Sequence, residues 1–158
     1  MQLIDQQTTA DRRQGIVELE HAIADRPDAL TAADFQTRHH FADGSYGREI
    51  VLPADTVVVG KIHRHSHVNV ISKGHCLVAT EDAICEYRAP LTFVSKPGTK
   101  RAVLALTETI WTTVHVTDET DLELIEQDVI APTFDDFDRL QGQIAELRAR
   151  ALQMGDRS

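Results

Sequence analysis

Two periodicities divide the chain. Between residues 8 and 37 the apolar positions Ile16, Leu19, Ile23 and Ala24 recur at intervals of three and four, which predicts an amphipathic helix. Thr8 or Thr9 caps it, Asp11 follows in the first turn, and Pro27 ends it. Thr31, with Asp34 three positions later, opens a second short helix. Residues 38–45 read as a polar connector that turns at Asp43-Gly44. From Tyr46 the period shortens to two, and strands are predicted at 46–52, 56–63, 67–72, 75–80, 83–88, 91–95, 100–106 and 109–116. The breaks carry turn residues: Pro53-Ala54-Asp55, Lys73-Gly74, Glu81-Asp82, Ala89-Pro90, Lys96-Pro97-Gly98 and Thr107-Glu108. No helix-length segment separates these strands, so the pattern predicts an antiparallel sandwich or barrel rather than a parallel α/β sheet.

After Val116 an acidic segment leads into residues 122–126, which fit either a short helical turn or an edge strand, and Pro132 stops them. A last helix is predicted over 134–154. Its apolar positions Phe134, Phe137, Leu140, Ile144, Leu147, Ala151 and Met154 form a narrow seam of coiled-coil spacing. About three heptads are marginal alone in water, so the helix either lies along the barrel or pairs with a second copy. Its otherwise polar surface favours a homo-oligomer. The predicted organisation is an N-terminal helical extension (1–45), a β-barrel (46–131) and a C-terminal helix (132–158).

Charge narrows the function classes. Sixteen basic against 25 acidic residues leave a formal charge of −9. That excludes the basic stripe of a non-specific nucleic-acid binder and works against docking on anionic membranes. No apolar run approaches the ~20 residues of a membrane helix. Residues 1–9 are polar and lack the pattern of a signal peptide, so the expected location is cytoplasmic. The two cysteines, Cys76 and Cys85, form no C-x-x-C pair and read as buried thiols in a reducing compartment. A turn at Glu81-Asp82 would place them on one face, which permits a disulfide without requiring it.

Candidate chemistry concentrates in residues 60–74. His63, His65 and His67 stand at alternate positions, and alternate side chains of an extended chain share a face. Neutral imidazole is a good ligand for zinc, iron, nickel and copper, and a barrel can supply several from crossing strands. His115, in phase with Trp111 and Thr113, can reach the first cluster from a distant strand. The candidate metal ligands are therefore His63, His67 and His115, with His65 turned outwards if the chain bends between Arg64 and Ser66. The cofactor implied is a divalent transition metal, Zn, Fe, Ni or Mn. Tyr46 and Arg48 share one strand face; Arg48, Lys61 and Arg101 together can line a pocket for an anionic small molecule, with Trp111 as core or pocket wall.

The eight strands, the histidine-rich turn closing at Lys73-Gly74 and the run Ser95-Lys96-Pro97-Gly98-Thr99-Lys100-Arg101 resemble the two motifs of the cupin superfamily. The resemblance covers about residues 46–116 and implies a cupin-type double-stranded β-helix, that is, a jelly-roll barrel, with helices added at both ends. In the first cupin motif a glutamate precedes the closing glycine by seven positions; here His67 stands there, His63 takes the second histidine of H-x-H, and Lys61 the first. In the second motif a histidine follows P-x-G by three positions; here it is Arg101. The resemblance thus implies a metal-binding cupin-like protein, an enzyme or binder for a small anionic molecule, with a ligand set unlike the usual three histidines and one glutamate. The chain also looks like small cupin-like proteins of phages and bacteria, which implies as the alternative a non-catalytic accessory, structural or ligand-sensing module that self-assembles.

Overall fold

The computed structural model describes residues 8–155. Its first helix, α1 (Thr9–Ala24), begins where the sequence predicts: Thr8 Oγ1 accepts the amide of Asp11, and the Asp11 carboxylate accepts the Thr8 amide in return. Ile16 on its inner face is buried, and the helix packs on strand β3 (Thr56–Val59). Arg13 ties it in two directions, to Glu81 in one turn and to Asp138 of the C-terminal helix. The predicted second helix shrinks to a single 3-10 turn at Ala32–Asp34.

Residues 36–42 depart from expectation. They form a strand, β1 (Gln36–Ala42), rather than a connector, and pair antiparallel with β2 (Ser45–Leu52) through a turn at Gly44. The five-stranded sheet runs β1-β2-β10-β5-β8, with β5 (His67–Lys73), β8 (Leu91–Ser95) and β10 (Thr109–Val116). A four-stranded sheet, β3-β9-β6-β7, contains β6 (His75–Ala79), β7 (Ile84–Arg88) and β9 (Ala102–Ala105). The strand predicted at 56–63 is interrupted at Gly60-Lys61. Its first half, β3, pairs with β9; its second half, β4 (Ile62–His63), leaves that sheet and pairs with β11 (Ile130–Ala131). Residues 122–126, left open between helix and strand, belong to helix α2 (Leu122–Val129), capped by the Asp121 carboxylate. The C-terminal helix α3 spans Phe134–Gly155.

Register arranges the inward side chains in layers. Across β2 and β10 the pairs are Leu52 with Thr109, Ile50 with Trp111, Arg48 with Thr113, and Tyr46 with His115. Along β5 the alternate positions His67, Asn69 and Ile71 are all buried. The floor is apolar: Leu52, Ile71, Cys76, Val78, Val103, Ala105 and Trp111 form one cluster, and each large aliphatic side chain in it contributes roughly 1.5–3 kcal/mol. Above it lies a polar layer, and above that the histidines. Cys76 belongs to the floor as predicted, but Cys85 is exposed on β7 because that strand is a sheet edge; both thiols are free.

Two glycines hold the turns that frame the site. Gly74, between β5 and β6, has φ +100°, and a Cβ there would sit 2.4 Å from the Glu108 carbonyl oxygen. Gly98 has φ +82°, and a Cβ would sit 2.5 Å from a ring carbon of Phe137 on α3. The Gly98 amide donates to the His63 carbonyl at 2.8 Å. Phe137 in turn packs with Ile62 and Ala131, so α3 is anchored at its first turns onto the β4–β11 pair.

Candidate metal centre

His63, His67 and His115 converge at one end of the barrel. Each comes from a different strand: β4, the start of β5 and the end of β10. The ring centroids are 4.1 Å apart for His63–His67, 4.8 Å for His67–His115 and 5.0 Å for His63–His115. One ring nitrogen from each lies within 4.8 Å of the others, and the Nδ1 atoms of His63 and His67 face each other at 3.2 Å. Two imidazole nitrogens on one tetrahedral zinc, each at 2.0–2.1 Å, are separated by about 3.3–3.4 Å. The donor set therefore fits a divalent transition metal. Burial suppresses protonation, since an imidazolium would be desolvated beside its neighbours. It holds His63 down at about 2, helped by repulsion from His67, His115, Arg101 and Arg48. His115 is held at about 4 by the same cause, and His67 is also lowered. All three rings are thus neutral at neutral pH, the form that binds a metal.

His65 does not join them. The chain bends at Arg64-His65, and His65 is left exposed; its carbonyl lies 3.3 Å from His67 Nδ1. The side chain instead lines a pocket of about 250 Å³ at the mouth, together with His115, Val129 and Asp128. Asp128 carries no signal in the sequence; it reaches this mouth only because β11 pairs with β4. Tyr46 is buried beneath α2, stacks on His115 at 6.3 Å between ring centroids, and its hydroxyl meets His39 Nδ1 at 2.8 Å. His39 is therefore a rim contact, and His21 is exposed on α1.

The polar layer contains a further set of residues. Asn69 donates from Nδ2 to Ser95 Oγ at 2.7 Å and accepts from Trp111 Nε1 at 3.0 Å. Arg101 donates from Nη2 to the same Ser95 oxygen at 2.8 Å, and its guanidinium stands 5.4 Å from the Phe93 ring centroid. Ser95 is the cross-strand partner of His67, so Arg101 is one residue removed from a histidine of the cluster. Burial lowers the Arg101 pKa against an opposing effect of Tyr87. Its Nε is buried without an acceptor, and neither Arg48 nor Arg101 makes an ion pair among the described residues. An unsatisfied buried donor costs about 1–3 kcal/mol, more when charged. Lys61 does not complete this positive lining. It points away from the interior and pairs with Glu126 of α2, at a second, wider pocket of about 780 Å³. Trp111 is core at its ring face and part of the polar layer at its N–H.

No family model matches the chain, and no curated protein matches it. Solved structures do. Ectoine synthase from P. lautus superposes with a TM-score of 0.52 at 13% identity, over 72% of this chain and 86% of that one. A cupin 2 conserved barrel domain protein from Salinispora arenicola CNS-205 gives 0.45 at 12% identity, over 66% and 90% of the two chains. A cupin-2 domain protein from Shewanella frigidimarina gives 0.44 at 13% identity, over 52% and 80%. At such identities the likeness speaks for the fold. The chain is thus an antiparallel two-sheet barrel similar in fold to that ectoine synthase.

Proposed function

We propose that the chain binds a divalent transition metal (Zn, Fe, Ni or Mn) through His63, His67 and His115, and takes a small anionic molecule into the barrel beside it. The observation that supports this is the convergence of three neutral imidazoles from three strands, with two facing nitrogens at 3.2 Å. A metal held there supplies Lewis-acid or redox chemistry. Arg48 and Arg101 provide the positive charge for the anion. The test is elemental analysis of tag-free protein, with thermal melting in the presence and absence of a chelator. Bound metal should raise the melting temperature by linkage, and His63→Ala combined with His67→Ala should abolish the shift. If no metal co-purifies, and none raises the melting temperature of the parent, the reading fails.

A second reading, self-assembly through α3, is favoured by a separate observation. Leu147, Leu152 and Met154 are 65–76% exposed, on the part of α3 beyond the turns that Phe137 anchors to the β4–β11 pair. Two copies paired along this stretch would cover these exposed apolar side chains. Light scattering of Leu147→Lys with Leu152→Lys tests this: the paired species should fall to the monomer mass, and an unchanged mass rules the reading out. Such an assembly suits a sensing or structural module as well as an enzyme.

A further inference from the structure

The charge balance inside the barrel leads beyond the metal. Three neutral imidazoles bring no negative charge to a divalent cation. The residues beneath them that carry charge are Arg48 and Arg101, and the others of that layer, Asn69, Ser95 and Thr113, are neutral. A metal entering this site as a bare cation meets two guanidinium groups without carboxylate partners. The usual cupin glutamate, which would offset part of that charge, is replaced by His67, and Arg101 stands where the second motif has a histidine.

Arg101 is also held for a particular task. Ser95 Oγ fixes its Nη2, the Phe93 ring lies 5.4 Å from its guanidinium carbon, and Nε retains a hydrogen without an acceptor. Ser95 is itself tied to Asn69, and Asn69 to Trp111. The guanidinium is thus pre-organised, with bonding capacity left over. A group that uses it must be anionic and offer an oxygen, while also offering an oxygen to the metal. A carboxylate has two oxygens on one carbon and meets both needs.

We infer that metal and carboxylate bind this site as a pair, the carboxylate being shared between the metal held by His63, His67 and His115 and the guanidinium of Arg101. This rests on the metal reading above. Coupling of this kind is reciprocal: the anion raises the affinity for the metal by the factor that the metal raises the affinity for the anion, commonly about 5–150-fold.

The test uses the full chain, stripped of metal, titrated with Co(II) at neutral pH in a zwitterionic buffer, by calorimetry and by the visible absorption of the bound ion. Acetate is the probe, because it binds free Co(II) too weakly to deplete it. In the parent, acetate should tighten Co(II) at least fivefold. In Arg101→Gln the acetate effect should fall below twofold, while Co(II) without acetate binds at least as tightly as in the parent, since a repelling cation has gone. Reciprocity is checked in the parent alone, where acetate binding should depend on Co(II), so the inference does not hang on the variant's folding. Co(II) bound with the same affinity with and without acetate overturns the pairing and leaves the metal site standing. No Co(II) binding under either condition overturns both. An equal response to sulfate overturns the assignment to a carboxylate.

Discussion

Lowering the pH of the metal-free protein should unfold it through two of the histidines. In the unfolded chain each imidazole titrates near 6.5; in the fold His115 is held at about 4 and His63 at about 2, because burial excludes the charged form. The folded pKa values are depressed, so the unfolded state binds more protons below 6.5. The contribution is therefore intact above that pH and is lost as the pH falls towards the folded values. At pH 5 an unfolded imidazole is almost fully protonated, whereas both native rings are still neutral. From linkage, the two should then cost about 1.8 and about 1.9 kcal/mol between pH 7 and pH 5, or about 3.7 kcal/mol together. That is a large share of the 5–15 kcal/mol typical of a domain. The assay is urea unfolding with chelator present, followed by the fluorescence of Trp111, the single tryptophan and a buried one. The control is His115→Gln, which should remove that ring's share, about 1.8 kcal/mol over the interval. A stability that changes by less than 1 kcal/mol over this interval, or a His115→Gln protein with the parent's slope, would refute the view that burial keeps these rings neutral.

Three further outcomes follow from the geometry. Gly98→Ala should destabilise by about 2–4 kcal/mol in denaturant melts, combining a left-handed backbone with a clash against Phe137; pairing it with Phe137→Ala should recover part of that loss, and strict additivity would count against the clash. Asn69→Ala should cost about 2–4 kcal/mol, because it strips Trp111 Nε1 and Ser95 Oγ of buried partners; it should also shift the tryptophan emission, and a melt within 1 kcal/mol of the parent would show the network to be dispensable. Lys61→Ala should leave metal affinity within twofold by calorimetry, since its partner is Glu126 outside the barrel; a tenfold change would place it in the site after all.

The sequence is legible where its chemistry is periodic. Strands from Tyr46 onward alternate apolar and polar residues because one face is buried, and the turns between them carry Gly, Pro or Asp. Strand β1 was missed for the opposite reason. Gln36-Thr37-Arg38-His39-His40-Phe41-Ala42 lies at a sheet edge and is exposed along most of its length, so it is held by backbone pairing and leaves no period to read. Phase alone identified His63, His67 and His115. His65 depends on whether the chain bends after Arg64, and the bend found there leaves it exposed. Lys61 was misassigned for a related reason: the break at Gly60 turns it from the barrel towards α2. Asn69 was overlooked because a polar residue inside an apolar strand reads as an outward one until its partners are known. Asp128 was beyond reach, since nothing local indicates that residues 130 and 131 return to pair with 62 and 63.

That return has a consequence for the order in which the protein comes into being. A nascent chain that has emerged as far as His115 already carries all three imidazoles, yet β4 still lacks the strand that holds it. His63 acquires its place only after Ile130 and Ala131 have been made and the first turns of α3 have closed over Gly98. The centre is thus completed only once residues 130–137 are in place. If the proposed metal binds there, its choice falls to a formed cavity and not to a flexible chain that would take whichever ion it met first.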